Sequence, residues 1–304
     1  MMKWKKLLLG LSLCIFVTGC SSSQEYPTEY PESPAQQVSE ILWPQSPGVD
    51  VLTDSTYAMV DMSNASQGYV TARLLSSASK IKLQISKDDK KYNYDLTSME
   101  YTAFPLQMGN GIYTIKILSQ IEGTKYAVVA STQKEVTIQD EFSVYLYPNQ
   151  VVNYGPDSIV VNKSFELTKD DEDDLTRIYH LFEYTVDVLD YDYEKADYVS
   201  DTYVLPDLTQ AIENGSGICF DYAALMTAML RSSGIPTRLD IGYATNIYHA
   251  WISTYLDEQG WVDNVIKFDG KNWTMMDPTF AAGGGEGIQD FITDSSNYNI
   301  EYIH

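Results

Sequence analysis

Cysteine is nearly absent: the 304 residues hold three, at positions 14, 20 and 219. That is too few for a disulfide framework, so the fold must stand on its hydrophobic core. Basic residues are also scarce, with 20 Lys and Arg against 42 Asp and Glu and a formal charge of −22. This balance excludes nucleic acid as a partner and disfavours polyanionic wall polymers and anionic lipids, whereas basic or neutral peptides are tolerated. Histidine occurs only at 180, 249 and 304. With no Cys-x-x-Cys or His-x-x-x-His spacing, neither a metal site nor a cofactor is implied. Beyond the N-terminus no apolar run approaches 18 residues, so a spanning helix is not expected.

The N-terminal segment carries Lys3, Lys5 and Lys6, an apolar stretch from Leu7 to Val17, and then Val17-Thr18-Gly19-Cys20. This reads as a signal peptide (1–19) ending in a lipobox, with cleavage before Cys20 and a lipid on its thiol. The expected location is the cell membrane, lipid-anchored and facing the extracytoplasmic side. Residues 20–48 are rich in Ser, Gln, Glu, Tyr and Pro without a period, which suits a flexible tether. Ile41, Leu42 and Trp43 are apolar enough to pack on the domain behind them.

From 49 to 155 the pattern is short β-branched and aromatic runs divided by polar turns, such as Ile81-Lys-Leu-Gln-Ile85 and Tyr113-Thr-Ile-Lys-Ile-Leu118. Asp88-Asp89-Lys90 and Gly109-Asn110-Gly111 supply turns, so an all-β, sandwich-like domain is expected, with Phe142 to Tyr147 as its last strand. It contains no His or Cys, and binding or spacing suits it better than catalysis. Residues 156–304 change period. Pro156 to Phe165 reads as a connection, Thr168 as an N-cap and Asp170 to Asp174 as the first turn of a helix whose apolar face includes Leu175, Ile178, Leu181 and Phe182. The acidic run lacks the spacing of a calcium loop and is better explained by the helix dipole.

A second helix, from Cys219 to Ser233, is apolar on nearly all sides and so should be buried, with Gly234 and Pro236 ending it. Strands are expected at 237–243, 250–255, 261–268 and 273–277, an α+β arrangement. Once the signal is removed and Cys20 lipidated, Cys219 is the one free thiol. In the first turn of a helix it sits at the positive end of the dipole, which favours the thiolate. His249, at a strand edge, is a suitable general acid and base, and Asp277 a suitable partner to fix its tautomer. His180 lies on the acidic helix and His304 is the last residue. The Cys219 N–H is a candidate oxyanion donor, with Tyr203 a candidate second. Taken singly, each has a bland explanation: a buried structural cysteine, a packed strand histidine, an Asp-Pro turn. Gly283-Gly-Gly-Glu-Gly287 reads as a surface loop or a lip of the cleft.

Together, Gly217-Ile-Cys219-Phe-Asp-Tyr-Ala-Ala-Leu, Met229-Leu-Arg231-Ser-Ser-Gly-Ile-Pro236-Thr-Arg, Gly242-Tyr243, His249-Ala-Trp251, Gly260-Trp261 and Asp277-Pro278-Thr279 resemble the core of the transglutaminase-like superfamily. The likeness covers about 165–282. It implies a papain-like α+β fold, a buried Cys-bearing helix against an antiparallel sheet, with Cys219, His249 and Asp277 as catalytic residues. The implied activity is acyl transfer or hydrolysis on an amide of an extracytoplasmic protein or peptide, through a Cys219 thioester resolved by amine or water. Two alternatives stand beside it: a peptidase or amidase of peptidoglycan stem peptides, and a non-enzymatic adhesion or assembly module of the same shape.

Overall fold

Alternation of apolar and polar residues puts one face of a strand into a core, and the N-terminal half repeats this device strand after strand. In the computed structural model, which describes residues 41–304 apart from 55, 78, 200–202, 258–259, 264–266, 269–272, 275–276 and 284–297, it yields eight strands. They are β1 (Val51–Thr53), β2 (Ala58–Asp61), β3 (Tyr69–Leu74), β4 (Ile81–Lys87), β5 (Lys90–Leu96), β6 (Thr102–Pro105), β7 (Gly111–Glu122) and β8 (Lys125–Val136). They form two antiparallel sheets, ordered β1-β2-β3-β6 and β5-β4-β7-β8. Val60, Val70 and Ala72 of the first sheet meet Ile81, Leu83, Ile85, Ile115 and Ile117 of the second in one buried cluster, which makes a sandwich. The leader, Cys20, the tether as far as residue 40 and the glycine-rich run from 284 lie outside the described residues. Among the described residues no helix is long and apolar enough to cross a membrane. Residues 41–48 run against the body: Ile41 and Trp43 pack on the helical core, and Trp43 meets Tyr154 edge to face at 5.8 Å.

Phe142 to Tyr147 is not a strand. A short 3-10 turn covers Ser143–Tyr145, where the Ser143 hydroxyl donates to the carbonyls of Gln67 and Asp140. Its aromatic rings leave the sandwich and pack on the second unit, Phe142 against Tyr255 at 4.2 Å and Tyr145 against Trp261 at 5.0 Å.

The segment from Pro156 to Phe165, expected as a connection, holds most of a helix, α1 (Ile159–Thr168), and the helix expected to start at Thr168 begins later, as α2 (Asp174–Val188). Thr168 closes α1, its hydroxyl donating to the Ser164 carbonyl at 2.9 Å. Asp173 is the N-cap of α2, accepting from the Thr176 N–H at 2.9 Å. The acidic run is engaged locally, with Asp171 on His180 at 2.9 Å and Asp174 on Arg177 at 2.8 Å. Next come β9 (Asp190–Tyr191), α3 (Tyr193–Val199), α4 (Leu208–Asn214), β10 (Ser216–Gly217) and α5 (Cys219–Ser232). The chain continues through β11 (Thr237–Ala244), β12 (Ile247–Leu256), β13 (Gly260–Asp263), β14 (Lys267–Phe268), β15 (Trp273–Thr274), α6 (Pro278–Gly283) and β16 (Tyr298–Ile303).

Helix α5 is the axis of this unit. Its residues from Asp221 to Ser232 are buried, with α1 and α2 on one side and the antiparallel sheet β13-β12-β11-β16 on the other. Leu225, Met229, Leu239 and Ile252 belong to one apolar cluster, so Leu225→Ala would cost about 2–5 kcal/mol. This is a papain-like α+β arrangement preceded by an all-β sandwich. The terminal strand β16 has no counterpart among the strands expected from sequence. It pairs antiparallel with β11 around Gly242, where an added Cβ would lie 2.0 Å from the Asn299 carbonyl oxygen. Only glycine admits that approach.

Candidate active site

Cys219 opens α5, and the turn before it is fixed from two directions. Residues 190–191 pair in parallel with 216–217 as β9 and β10. The Asp192 N–H donates to the Gly217 carbonyl at 2.9 Å. Asp221, three residues past the helix N-cap, accepts from the Ile218 N–H at 2.9 Å. Asp221 is 1% exposed, and its two oxygens take Lys195 Nζ of α3 at 2.8 and 2.7 Å. An added Cβ on Gly217 would lie 2.7 Å from the Asp221 Cβ, so glycine lets this carboxylate fold back over the turn.

His249 lies on β12, opposite Gly242 of β11. Trp251, two residues on and therefore on the same face of the strand, lies nearly parallel to the imidazole at 6.1 Å. Asp277, immediately before α6, is fully buried. One of its oxygens accepts from the Thr279 N–H at 2.9 Å, and the other meets His249 Nε2 at 2.6 Å. His249 and Cys219 line one cavity, with Asp277 behind the imidazole on Nε2. The structure therefore brings His249 against Asp277 and sets His249 and Cys219 on the wall of the same cavity. Burial by itself would depress the His249 pKa. The Asp277 charge, its hydrogen bond and the Cys219 contact outweigh burial and push the value up to about 10.

Over Cys219 and His249 lies a cavity of about 460 Å³. Its walls are apolar or aromatic, including Tyr191, Val199, Val204, Phe220 and Ile241, and among the described residues no Asp, Glu, Lys or Arg lines it. Tyr203 stands on the same wall, its ring 6.4 Å from that of Phe220. The cavity thus brings the tyrosine beside Cys219 and His249, with 66% of its surface exposed. His180 is occupied at Asp171, and His304 is buried against Tyr92 and Tyr94. Desolvation depresses the His304 pKa to about 3.

Sequence reasoning missed the Lys195–Asp221 pair, the Trp251 ring on His249 and the aromatic walls. A signal was present for the first: Asp221 is a lone carboxylate at the start of an otherwise apolar helix, a residue that is rarely buried without a partner.

Residues 162–264 match the family described as the transglutaminase-like superfamily. No curated protein matches the chain. Among solved structures, a candidate cysteine protease from Cytophaga hutchinsonii is 17% identical, covering 69% of this chain and 78% of its own, with a TM-score of 0.35. The periplasmic domain of TgpA from Pseudomonas aeruginosa is 14% identical over 74% of this chain and 93% of that one, with a TM-score of 0.31. Red sea bream transglutaminase is 15% identical over 69% and 48%, with a TM-score of 0.28.

Proposed function

We propose that the chain is a cysteine enzyme of transglutaminase-like chemistry that attacks an amide of an extracytoplasmic protein or peptide. The observation that carries this reading is the helix-start thiol and His249 on the wall of one cavity, with the buried Asp277 2.6 Å behind the imidazole.

In this reading the Cys219 thiolate adds to the amide carbonyl, and the developing oxyanion is met by the Cys219 N–H, a first-turn donor with no intrahelical acceptor. Tyr203 is the candidate second donor. His249 gives a proton to the departing amine, the C–N bond breaks, and a thioester remains on Cys219. An incoming amine or water then loses a proton to His249 and attacks the thioester, releasing acyl product and regenerating the thiolate. Asp277 keeps the imidazole oriented and its charge balanced throughout. Choice between amine and water rests on water exclusion, and the apolar walls of the cavity favour exclusion.

The test is alkylation of the mature protein by iodoacetamide across pH 4–9, in wild type and His249→Ala. Rapid modification of Cys219 below pH 7 that collapses in the variant is expected. Slow modification that rises only near pH 8.5, the same in both proteins, would overturn the enzyme reading.

The lipobox supports attachment through Cys20 to the outer face of the cell membrane. Cys20→Ala is expected to move the protein from the membrane fraction to the soluble one, and retention in the membrane would count against lipidation.

A further inference from the structure

The β sandwich carries no catalytic group, yet it forms part of the wall that leads to Cys219. The cavity over the thiol adjoins a second of about 290 Å³, and Tyr203, Ile241 and Tyr248 line both. This second hollow is walled on its other side by β5 of the sandwich, through Lys91 and Asn93. It adjoins in turn a third hollow of about 560 Å³ between β5 and β16, with Lys91, Tyr92, Asn93 and Tyr302 common to the two.

Three hollows in series, running from the thiol onto the sandwich, exceed what a small amide needs, since pockets of about 300–1,000 Å³ enclose drug-sized ligands. The shared walls are tyrosines left open to solvent: Tyr203, Tyr248 and Tyr302 are 66%, 55% and 39% exposed. Exposed tyrosines in a row offer broad, rigid contact area with a hydroxyl at the tip, the feature that dominates peptide and protein recognition surfaces. Charge changes along the path. Among the described residues the cavity over Cys219 has none, whereas the second hollow contains Lys82 paired with Asp95 at 2.7 Å, together with Lys91. At the far end Lys90 and Lys91 stand with Asp89 and Glu301.

From this continuity we infer that the sandwich is the distal half of the substrate site. The occupant is an extended polypeptide segment that places an uncharged, large apolar residue over Cys219 and runs past Tyr203 and Tyr248 to the groove between β5 and β16. The inference rests on the thiol-enzyme reading above for the identity of the reacting end.

Two series of affinity labels test this: peptides of one to six residues ending in a phenylalanyl chloromethyl ketone, and peptides of the same lengths with a bromoacetyl group on an N-terminal phenylalanine. Iodoacetamide serves as the reference that senses the thiol alone. The expected result is that labelling of Cys219 accelerates with length in one series by about ten-fold or more, the scale on which a buried tyrosine contact registers in affinity. Tyr302→Ala and Lys91→Glu should each erase that gain while leaving the rates for iodoacetamide and for the one-residue labels unchanged, which also shows that the variants are folded. No gain with length in either series, or a gain that survives both substitutions, would overturn the inference. A slow, His249-independent reaction with iodoacetamide would instead remove the thiol-enzyme reading, and the length dependence would still score the groove.

Discussion

His249 is an imidazole with almost no access to water, and it keeps its proton because Asp277 lies 2.6 Å away. A pKa raised in the folded state means that the folded protein holds the proton more tightly than the unfolded chain does. The stabilisation from this group is therefore fully present below the unfolded value of about 6.5 and is lost as pH rises through about 10. Comparing urea midpoints of wild type and His249→Gln from pH 6 to pH 10 should show the wild-type advantage shrinking across that window; a difference constant with pH would contradict the ion pair. Asp277→Asn removes the counter-charge while keeping the shape. It is expected to cost about 3–5 kcal/mol in stability, as for other broken buried pairs, and to slow Cys219 alkylation below pH 7.

At the scale of elements, the start of α5 is the critical construction. Asp221 holds the Ile218 N–H and the Lys195 ammonium together, which fastens α3, part of the cavity wall, to the helix that bears the thiol. Gly217→Ala would drive a Cβ into that carboxylate, with an expected loss of about 1–3 kcal/mol typical of overpacking and a slower reaction of Cys219 with iodoacetamide. Unchanged stability and reactivity would mean that the turn yields freely. Much of this region was legible in the sequence. The helix stop at Ser232, followed by Gly234 and Pro236, and strands β11 and β12 follow from local chemistry, and β4 keeps the alternation of Ile81, Leu83 and Ile85 in its burial. The failures share a cause. Thr168 and Asp173 are both acceptable N-caps, and the choice depends on where α1 ends, which tertiary packing of Ser164 on Met229 and Ser233 decides. Phe142 to Tyr147 has the composition of a strand, but its rings answer to Tyr255 and Trp261, far away in sequence. The Lys195–Asp221 pair, across 26 residues, has no periodic signature at all.

Across the whole molecule, Arg231 joins what the sequence separates. It is 1% exposed, and its guanidinium donates to three carbonyls: Thr237 at the start of β11, Tyr147 two residues past the 3-10 turn, and His304 after β16. Desolvation lowers its pKa to about 10. Lysine cannot reproduce a planar fork with three acceptors. Arg231→Lys is therefore expected to lose on the order of 3–5 kcal/mol, as when a buried charge loses its partners. Its urea unfolding should broaden or split as the sandwich and the helical unit cease to melt together; a single sharp transition at the wild-type midpoint would show that other contacts suffice. This arginine also bears on how such a chain can be recombined. Exchanging the sandwich for another module would take from this buried cation one of its three acceptors unless the newcomer brought a carbonyl to the place of Tyr147. The two halves are in that sense a single heritable unit, and the seam between them is a poor place for a gene to be cut.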